Sequence, residues 1–354
     1  MIALLTQCFP PDHGGIETLM GQMAAALHAA GREVVVLADP GRGAEPAWPF
    51  PVRRFGGPRP WRRWRKAAAI TALRPTAVLS DSWKSLEALP AQAPHTVVLA
   101  HGNEFLRGRE DRIRMALARA TVVAANSAFT AGLVRPLRDA VEVVNLPLAP
   151  PPAAERTLPP GRRIIGVGRL EPRKGFDRVI EALPHLPGAS LDLVGGGDDR
   201  GRLQALAQSL GVADRVSFLG AVSDAAKAQA LANADVFAMP SRREGNSVEG
   251  YGLAYLEAAW FGLPALAGAE GGAADAVLHE KTGLVVDGRD PAAVRAALSA
   301  LLDDPLRRQR LGEAARERVR QKLSWEAVLP RYLTLLEPCS VRSAGRISGS
   351  PDRS

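Results

Sequence analysis

Short apolar segments alternate with helix-forming segments along nearly the whole chain, and one proline-rich stretch divides this pattern into two. The segments before the stretch predict strands at Ile2–Leu5, Glu33–Leu37, Ala77–Leu79, Thr96–Ala100, Thr121–Ala125 and Val141–Val144. Those after it predict strands at Arg163–Val167, Ser190–Val194, Arg215–Leu219, Asp235–Ala238, Pro264–Ala267 and Leu284–Val286. Strands that alternate with helices form parallel, doubly wound sheets. The sequence therefore predicts an α/β protein with two Rossmann-like domains.

The proline-rich stretch at 147–161 holds six prolines, which is typical of a linker. We place the first domain at 1–155 and the second at 156–323, because 354 residues fit two domains of ordinary size. A last helix at 324–337 is expected to cross back onto the first domain. Residues 338–354 are rich in serine, glycine and arginine, and we expect a disordered tail there.

The composition is that of a globular protein, with 46% hydrophobic and 23% charged residues. Cys8 and Cys339 lie at opposite ends of the chain, so neither a disulfide framework nor a cysteine metal site is indicated. The first residues do not resemble a signal peptide, and no segment offers about 20 consecutive apolar residues. We therefore expect a cytoplasmic protein in a reducing compartment.

A basic segment at Arg53–Lys66 carries seven arginines and lysines and no acid, in a chain of net charge +8. Trp61, Trp64 and Ala68 recur at helical spacing beside these cations. Two interpretations stay open. The segment contacts an anionic membrane surface, on the inner face of the plasma membrane, or it is a solvated helix face whose tryptophans pack inward. Binding to nucleic acid is not expected, because no nucleic-acid-binding motif accompanies the segment.

Two carboxylates, Glu249 and Glu257, lie eight residues apart in a glycine-containing segment that leads into an apolar helical run. On one unbroken helix, eight residues rise about 12 Å. That exceeds the roughly 5–9.5 Å between the two carboxylates of a glycosidase. If the helix begins near Tyr251, Glu249 lies in the loop before it and Glu257 lies inside it. The two acids are then expected to contact different parts of one extended ligand.

The segment Gly168–Gly175 follows the first predicted strand of the second domain, and Arg169 and Lys174 are two of its three cations. Open α/β sheets bind ligands at the carboxyl ends of their strands. Arg169 and Lys174 together suit a diphosphate, because they offer a planar guanidinium and a compact ammonium. Two solvated charges in a loop are the alternative, and the glycines around them favour the binding site.

His101 and a pair of glycines are expected at the same kind of position in the first domain. His101 follows the strand Thr96–Ala100 and is a hypothetical contact for a sugar or phosphate, although a lone histidine is more often structural. Gly14 and Gly15 lie between the first strand and the first helix, where backbone amides approach anions. The chain lacks the glycine spacing of a dinucleotide-binding loop, so a hydride-transfer enzyme is not supported.

Taken together, these elements resemble the family-4 retaining glycosyltransferases of the GT-B fold, in which two Rossmann-like domains face each other across a cleft. The matching motifs occur in family order and are Phe9-Pro-Pro with Gly14-Gly15, His101-Gly-Asn-Glu104, Asn126-Ser with Thr130, Gly168-Arg-Leu with Arg173-Lys174-Gly175, Val194-Gly-Gly-Gly197, and Glu249 followed at an interval of eight by Glu257. The segments around Glu249 and Lys174 are most similar to the bacterial phosphatidylinositol mannoside mannosyltransferases. One departure is Gly271-Gly-Ala-Ala-Asp275, where the family often has Gly-Gly-x-Pro-Glu.

The resemblance implies a role for each matching residue. Glu257 would hold the ribose hydroxyls of the nucleotide, and the strand end at Leu219–Val222, including Val222, would hold the base. Glu249 would contact the donor sugar, helped by the backbone amides of Gly250, Tyr251 and Gly252.

The same resemblance implies that Arg169 and Lys174 bind the diphosphate and stabilise it as it leaves. Gly14 and Gly15 would complete the phosphate and acceptor region, and His101 would face the donor sugar. No metal site and no cofactor are implied beyond the nucleotide-diphosphate sugar itself, linked to GDP or UDP.

The implied reaction transfers a hexose, with mannose as the first expectation, to a lipid-linked or surface-glycan acceptor with retention of configuration. The front-face mechanism usual for the family lets the leaving diphosphate help deprotonate the acceptor hydroxyl. Two alternatives stay open at this point. One is a nucleotide-sugar epimerase or hydrolase of the same fold, and the other is a non-catalytic binder of sugar nucleotides.

Overall fold

The structure is a computed structural model that describes residues 1–12 and 14–338. Apart from Pro338, the predicted tail lies outside the described residues. The strands form two parallel sheets, one of seven and one of six strands, which confirms the predicted α/β fold class. We call the seven-stranded sheet with its helices the first domain, and the six-stranded sheet with its helices the second domain. The boundary at residues 155 and 156 stays a prediction.

The first domain alternates strands and helices from the first residues onward. Its strands are β1 (Ile2–Leu5), β2 (Val34–Ala38), β3 (Val52–Arg54), β4 (Ala77–Ser80), β5 (His95–Ala100), β6 (Val122–Ala125) and β7 (Val141–Val143). Its helices are α1 (Gly15–Ala29), α2 (Arg59–Leu73), α3 (Trp83–Leu86), α4 (Glu110–Leu117) and α5 (Ala128–Val134). The strand order is β3-β2-β1-β4-β5-β6-β7, so the winding reverses between β1 and β4.

The second domain repeats this architecture after a segment without helix or strand. Its strands are β8 (Arg163–Val167), β9 (Ser190–Val194), β10 (Val216–Gly220), β11 (Val236–Met239), β12 (Ala265–Gly268) and β13 (Gly283–Val286), in the order β10-β9-β8-β11-β12-β13. Its helices are α6 (Phe176–Ala182), α7 (Arg200–Ser209), α8 (Asp224–Asn233), α9 (Leu253–Trp260), α10 (Ala273–Ala276), α11 (Pro291–Leu302) and α12 (Pro305–Lys322). The winding reverses between β8 and β11, which places a ligand crevice at the carboxyl ends of these strands.

The last helix, α13 (Trp325–Leu336), packs against the first domain. Tyr332 is buried in the core that it shares with β1 and α1. The indole Nε1 of Trp325 donates to Gln22 Oε1 at 2.9 Å, and His95 Nε2 lies 2.7 Å from the carbonyl oxygen of Leu335. The chain therefore returns to its first domain after completing the second.

Two features of the first domain differ from the sequence predictions. The edge strand β3 was not predicted, because its three residues include two arginines and form no apolar run. On α2, Trp61 and Trp64 are 55% and 60% exposed, so the interpretation that they pack inward is wrong. The buried residues of α2 are instead Lys66 and Ile70. Within the described residues, no helix is both long and apolar enough to cross a membrane.

Candidate active site

The predicted site residues lie at the carboxyl ends of strands in both sheets. His101 follows β5, Lys174 lies in the loop after β8, and Glu249 lies in the loop between β11 and α9. These two edges meet, because the backbone N–H of Val248 donates to the amide oxygen Oδ1 of Asn103 at 2.7 Å. The loops that carry the predicted residues therefore face each other across the junction of the two domains.

Glu249 is the centre of a buried ion cluster. Its Oε2 accepts hydrogen bonds from Lys174 Nζ at 2.5 Å and from Arg173 Nη1 at 2.9 Å. The Glu249 side chain is only 12% exposed. Burial raises the pKa of Glu249, but the charges of Lys174 and Arg173 outweigh it and lower that pKa to about 2. The carboxylate is therefore ionised at neutral pH and held in place by two cations.

The loop that carries Lys174 and Arg173 is held in place by the segment that follows β11. Residues Pro172–Lys174 form one turn of 3₁₀-helix, and the backbone N–H of Arg242 donates to the carbonyl oxygen of Arg173 at 2.9 Å. The guanidinium of Arg242 forms a buried bidentate ion pair with Asp177 in α6, at 2.8 and 2.9 Å. A bidentate pair fixes orientation as well as charge. It thus ties the loop after β11 to the start of α6.

Arg169 lies apart from this cluster. Its side chain is 73% exposed, and its guanidinium pairs with Glu171 at 2.6 Å. The structure thus brings Lys174 to Glu249 but leaves Arg169 at the surface. The buried guanidinium beside Glu249 belongs to Arg173, which the sequence analysis placed in the motif without giving it a role. The sequence of this segment does not indicate that Arg173 is buried whereas Arg169 is exposed.

Glu257 has a more open environment inside α9. Its Oε1 accepts a hydrogen bond from Lys227 Nζ in α8 at 2.7 Å. Burial lowers the pKa of Lys227, but Glu257 outweighs this effect and raises it. Val222 is exposed in the loop that leads from β10 into α8. Because Val222 and Lys227 flank the start of one helix, the predicted base contact and the predicted ribose contact lie on the same side of the second domain.

Gly250 lies at the tightest contact between the domains. A Cβ atom there would come within 1.8 Å of the carbonyl oxygen of His101. The hydroxyl of Ser127 donates to the carbonyl oxygen of Gly250 at 2.9 Å, while its oxygen also caps α5 by accepting from Thr130 N–H. Only glycine permits this approach, so the residue after Glu249 fixes how closely the domains meet.

A second contact joins the domains through Asp275 in α10. Its Oδ2 accepts a hydrogen bond from the backbone N–H of Ala128 at 2.8 Å. Asp275 belongs to the Gly271–Asp275 segment in which the chain departs from the family pattern. The aspartate in that segment therefore contacts the first turn of α5, and the sequence gives no signal for this contact.

The remaining predicted residues border the same junction. The Nε2 atom of His101 lies 2.9 Å from the carbonyl oxygen of Asp81, so one ring nitrogen is engaged within the first domain. Gly14 and Gly15 lie at the start of α1, and a Cβ on Gly15 would lie 3.8 Å from the Leu253 side chain of α9. Gly252 precedes α9 with a φ of 92°, a left-handed conformation that favours glycine.

Tyr251 is buried between these glycines, and its hydroxyl has no hydrogen-bond partner among the described residues. Nowhere in residues 1–12 and 14–338 are three His, Cys, Asp or Glu side chains grouped so that they could hold a metal ion.

Two parallel sheets face each other through their carboxyl edges, and a cluster of one carboxylate and two cations of the second domain lies near their junction; this is the architecture of the GT-B fold. Residues 155–318 match the family model "Glycosyl transferases group 1", and residues 13–148 match "Glycosyltransferase Family 4". The chain is similar to a GDP-mannose-dependent alpha-(1-6)-phosphatidylinositol monomannoside mannosyltransferase of Mycobacterium tuberculosis, with 32% identity over 95% of this chain and 97% of that protein. The chain therefore belongs to the family-4 glycosyltransferases.

Solved structures show the same fold at lower identity. Sucrose-phosphate synthase from Thermosynechococcus elongatus superimposes with a TM-score of 0.81 and 24% identity, over 94% of this chain and 97% of that one. Anabaena HepE, solved in complex with UDP, superimposes with a TM-score of 0.77 and 21% identity, over 95% and 99%. These likenesses confirm the GT-B architecture of two facing domains.

Proposed function

We propose that the chain transfers mannose from GDP-mannose to a lipid-linked or surface-glycan acceptor with retention of configuration. The observation that carries this proposal is the buried cluster of Glu249, Lys174 and Arg173 at the facing sheet edges. The relative in Mycobacterium tuberculosis, named as GDP-mannose-dependent, supports the choice of donor. The HepE structure in complex with UDP supports a nucleotide as the ligand of this fold.

In the proposed complex, the diphosphate enters the space around Lys174 and the start of α9. Lys174 then exchanges part of its contact with Glu249 for the diphosphate, and Arg169 adds a second cation from the surface. The backbone N–H groups of Gly250, Tyr251 and Gly252 lie before the first turn of α9, where amides favour anions. Positive charge at this position stabilises the leaving diphosphate as the glycosidic bond breaks.

The nucleotide is assigned to the Glu257 side of the second domain. Glu257 releases Lys227 and accepts hydrogen bonds from the ribose hydroxyls, while the base lies along Leu219–Val222. Glu249 accepts hydrogen bonds from the donor sugar, and His101 faces this sugar from the first domain. Gly14 and Gly15 border the acceptor. Each of these roles comes from the resemblance, and those of Glu249, His101, Gly14 and Gly15 are also supported by the placement of these residues at the junction.

The proposed step is a front-face displacement. The bond from the anomeric carbon to the diphosphate oxygen breaks, and a bond forms from that carbon to the acceptor oxygen on the same face. The acceptor proton passes to the leaving diphosphate. Lys174 and Arg169 supply the charge stabilisation, so the proposal includes turnover without a divalent metal ion. Full activity in the presence of EDTA is the expected result, and loss of activity that Mg²⁺ restores would contradict this part.

We propose that the first domain, which would bind the acceptor, makes a peripheral contact with the membrane surface through α2. The rings of Trp61 and Trp64 pack against each other in a tilted arrangement, 5.0 Å between centroids, and face solvent on α2, and Arg65 is exposed beside them. Exposed tryptophans with basic neighbours suit an anionic interface. The variant W61S/W64S/R65S is expected to lose binding to anionic vesicles. The control L306S removes another exposed apolar side chain and is expected to bind normally; equal vesicle binding by both variants would refute the assignment.

The test of the proposed function is a donor panel. GDP-mannose, UDP-glucose, UDP-galactose and UDP-N-acetylglucosamine are each incubated with the protein and with a lipid extract, and nucleotide release and product mass are measured. The expected result is release of GDP only with GDP-mannose and a product heavier by one hexose. Rapid turnover of the donor without acceptor would favour the epimerase or hydrolase alternative. Tight binding of donor without transfer to any acceptor would favour the non-catalytic binder.

A further inference from the structure

A second group of cations lies in the first domain, away from Glu249. A small surface pocket is lined by five cationic side chains and one carboxylate. The cations are Arg59, Arg62, Arg63, Lys66 and Lys84, and the carboxylate is Asp39. This pocket contains more positive charge than its own carboxylate neutralises, and we call it the cationic pocket.

Three of the five cations are paired in the structure. Lys66 is buried and donates to Asp39 Oδ1 at 2.6 Å and to the carbonyl oxygen of Thr6 at 2.7 Å. Arg62 contacts the other oxygen of Asp39 at 2.6 Å. Arg63 pairs with Glu87, which also accepts from Arg112. Each carboxylate here is thus shared by two cations, and neither can neutralise a further one.

Arg59 and Lys84 complete the set without a carboxylate partner. Across residues 1–12 and 14–338, neither forms an ion pair. Burial and the nearby Arg63 lower the pKa of the Arg59 guanidinium, and the charge of Glu87, which is already paired with Arg63 and Arg112, only partly opposes this. Like charges repel within such a cluster, so an anion placed between them relieves the repulsion and gains charge-assisted hydrogen bonds.

Two buried hydrogen-bonding groups without partners also favour an anion as the ligand of the cationic pocket. Ser85 lines the cationic pocket and is only 3% exposed, and its hydroxyl has no partner among the described residues. The buried Nε of Arg62 also lacks a partner there. Buried polar groups in folded proteins are normally satisfied. A small anion with several acceptor oxygens would satisfy both groups, whereas another cation or an apolar group would not.

The cationic pocket lies on the ligand-binding edge of the first domain. Gln7 follows β1, Asp39 follows β2, and Ser85 follows β4, so the pocket spans the carboxyl ends of three neighbouring strands. Asp81, after β4, links it to the junction: its Oδ2 accepts from Gln7 N–H at 2.8 Å, and its carbonyl oxygen contacts His101. An anion in the pocket therefore sits beside the acceptor side of the proposed active site.

We infer that the cationic pocket binds a phosphate group of the acceptor, as a phosphodiester or phosphomonoester, while the sugar to be extended lies at the domain junction. This inference rests on the proposed transferase function. Ser85 and Arg62 supply neutral and cationic donors, and Arg59 and Lys84 supply the charge that no carboxylate of the pocket balances.

The first arm of the test compares two acceptors that differ only in charge. The double variant R59S/K84S is assayed with a deacylated, soluble glycerophosphoinositol mannoside and with the neutral octyl mannoside. The KM of the phosphate-bearing acceptor is expected to rise by about 30- to 100-fold, as for the loss of two contacts that each contribute up to about tenfold, while the KM of octyl mannoside changes less than about 2-fold. The variant S85A is expected to raise only the first KM, by about 3- to 10-fold.

The control variant R74S/R135S removes two exposed cations of the first domain that lie outside the pocket, and wild-type constants are expected for it. If R59S/K84S changes the KM of both acceptors by the same factor relative to wild type, the inference is overturned. Transfer to octyl mannoside then still supports the proposed function, so the two failures are distinguishable. Absence of transfer to any acceptor would refute the proposed function itself.

A second arm separates an acceptor phosphate from free phosphate. Inorganic phosphate is titrated into the wild type, both double variants and S85A, and the unfolding temperature is measured. Stabilisation by phosphate in the wild type and control, but not in R59S/K84S or S85A, together with the KM difference, supports the inference. Stabilisation by inorganic phosphate without any KM difference assigns the pocket to free phosphate and overturns the acceptor assignment. Neither effect in properly folded protein, judged by circular dichroism, also overturns it.

Discussion

Glu249 and Glu257 are eight residues apart in sequence, yet the structure gives them different surroundings. Glu249 lies in a loop, buried between Lys174 and Arg173, which are themselves fixed by the turn after β8. Glu257 lies inside α9 and pairs with one lysine, Lys227, near the surface. The loop carboxylate is thus held in a preorganised cluster, while the helix carboxylate has a partner that a ligand can replace. This difference suggests that Glu249 acts on the reacting sugar and that Glu257 acts in nucleotide binding.

The largest effect is expected at the cation beside Glu249. K174A removes the charge proposed to stabilise the leaving diphosphate, and kcat is expected to fall by about 10²- to 10³-fold. R169A is expected to lower kcat as well, but by less, because Arg169 lies at the surface. Steady-state kinetics with GDP-mannose provide the measurement, and K281A, at an exposed lysine far along the chain, is the control. Near-normal turnover in both K174A and R169A would contradict the assigned roles.

The next effect is expected at the glycine between the two carboxylates. G250A places a Cβ against the carbonyl oxygen of His101, so the domains must separate at this contact. Because a misplacement of about 1 Å can cost about 10²-fold in rate, a loss of that order in kcat is expected. Small-angle scattering should show a larger radius of gyration. G201A is the matched control, since a Cβ at Gly201 has no atom within 4 Å. A compact, fully active G250A would refute this account of the junction.

A smaller effect, and one on binding, is expected at Glu257. E257Q replaces the carboxylate that accepts from the ribose hydroxyls, and the KM for GDP-mannose is expected to rise by about 10- to 100-fold. The value of kcat should change much less than in K174A. E317Q, at an exposed position of α12, tests for unspecific effects of charge. If E257Q lowers kcat more than it raises KM, the distinction between the two carboxylates is wrong.

The pH dependence of stability isolates the Glu249 cluster. The folded pKa of about 2 lies below the ordinary value of 4.5, so the ion cluster stabilises the fold fully above pH 4.5 and progressively less as the pH falls towards 2. From pH 6 to pH 3, the difference in unfolding free energy between wild type and E249Q should therefore narrow by about 2 kcal/mol. Urea unfolding at both pH values measures this. A difference that is constant over the range would mean that Glu249 is not held ionised by Lys174 and Arg173.

Much of the fold was predictable from the sequence, because buried parallel strands are continuous apolar runs. The bounds of β1, β8 and β9 agree with the prediction, whereas β3 was missed because Val52–Arg54 is short and two of its three residues are arginine. The exposed tryptophans of α2 show a second limit. Helical spacing places Trp61 and Trp64 on one face but does not determine whether that face meets the core.

The site was predictable where a motif names its residues and unpredictable where contacts are long-range. The roles given to Lys174 and Glu249 stay proposals: the motifs identified both residues but not the ion pair between them, which joins positions 75 apart. The pair of Arg242 with Asp177 joins residues 65 positions apart. The contacts of Ser127 with Gly250 and of Ala128 with Asp275 span more than 120 residues. No local pattern encodes such pairs, since they arise only when both sheets have folded and met.

The most direct test of the difference between the two carboxylates is calorimetric titration of GDP and of GDP-mannose into the wild type, E249Q and E257Q. The account predicts that E257Q weakens both ligands by the same factor, because both carry the ribose. E249Q should leave the Kd of GDP within about 2-fold and weaken only GDP-mannose, by about 10-fold or more. Equal weakening of both ligands by E249Q, or selective weakening of GDP-mannose by E257Q, would contradict the assignment of Glu249 to the sugar and Glu257 to the nucleotide.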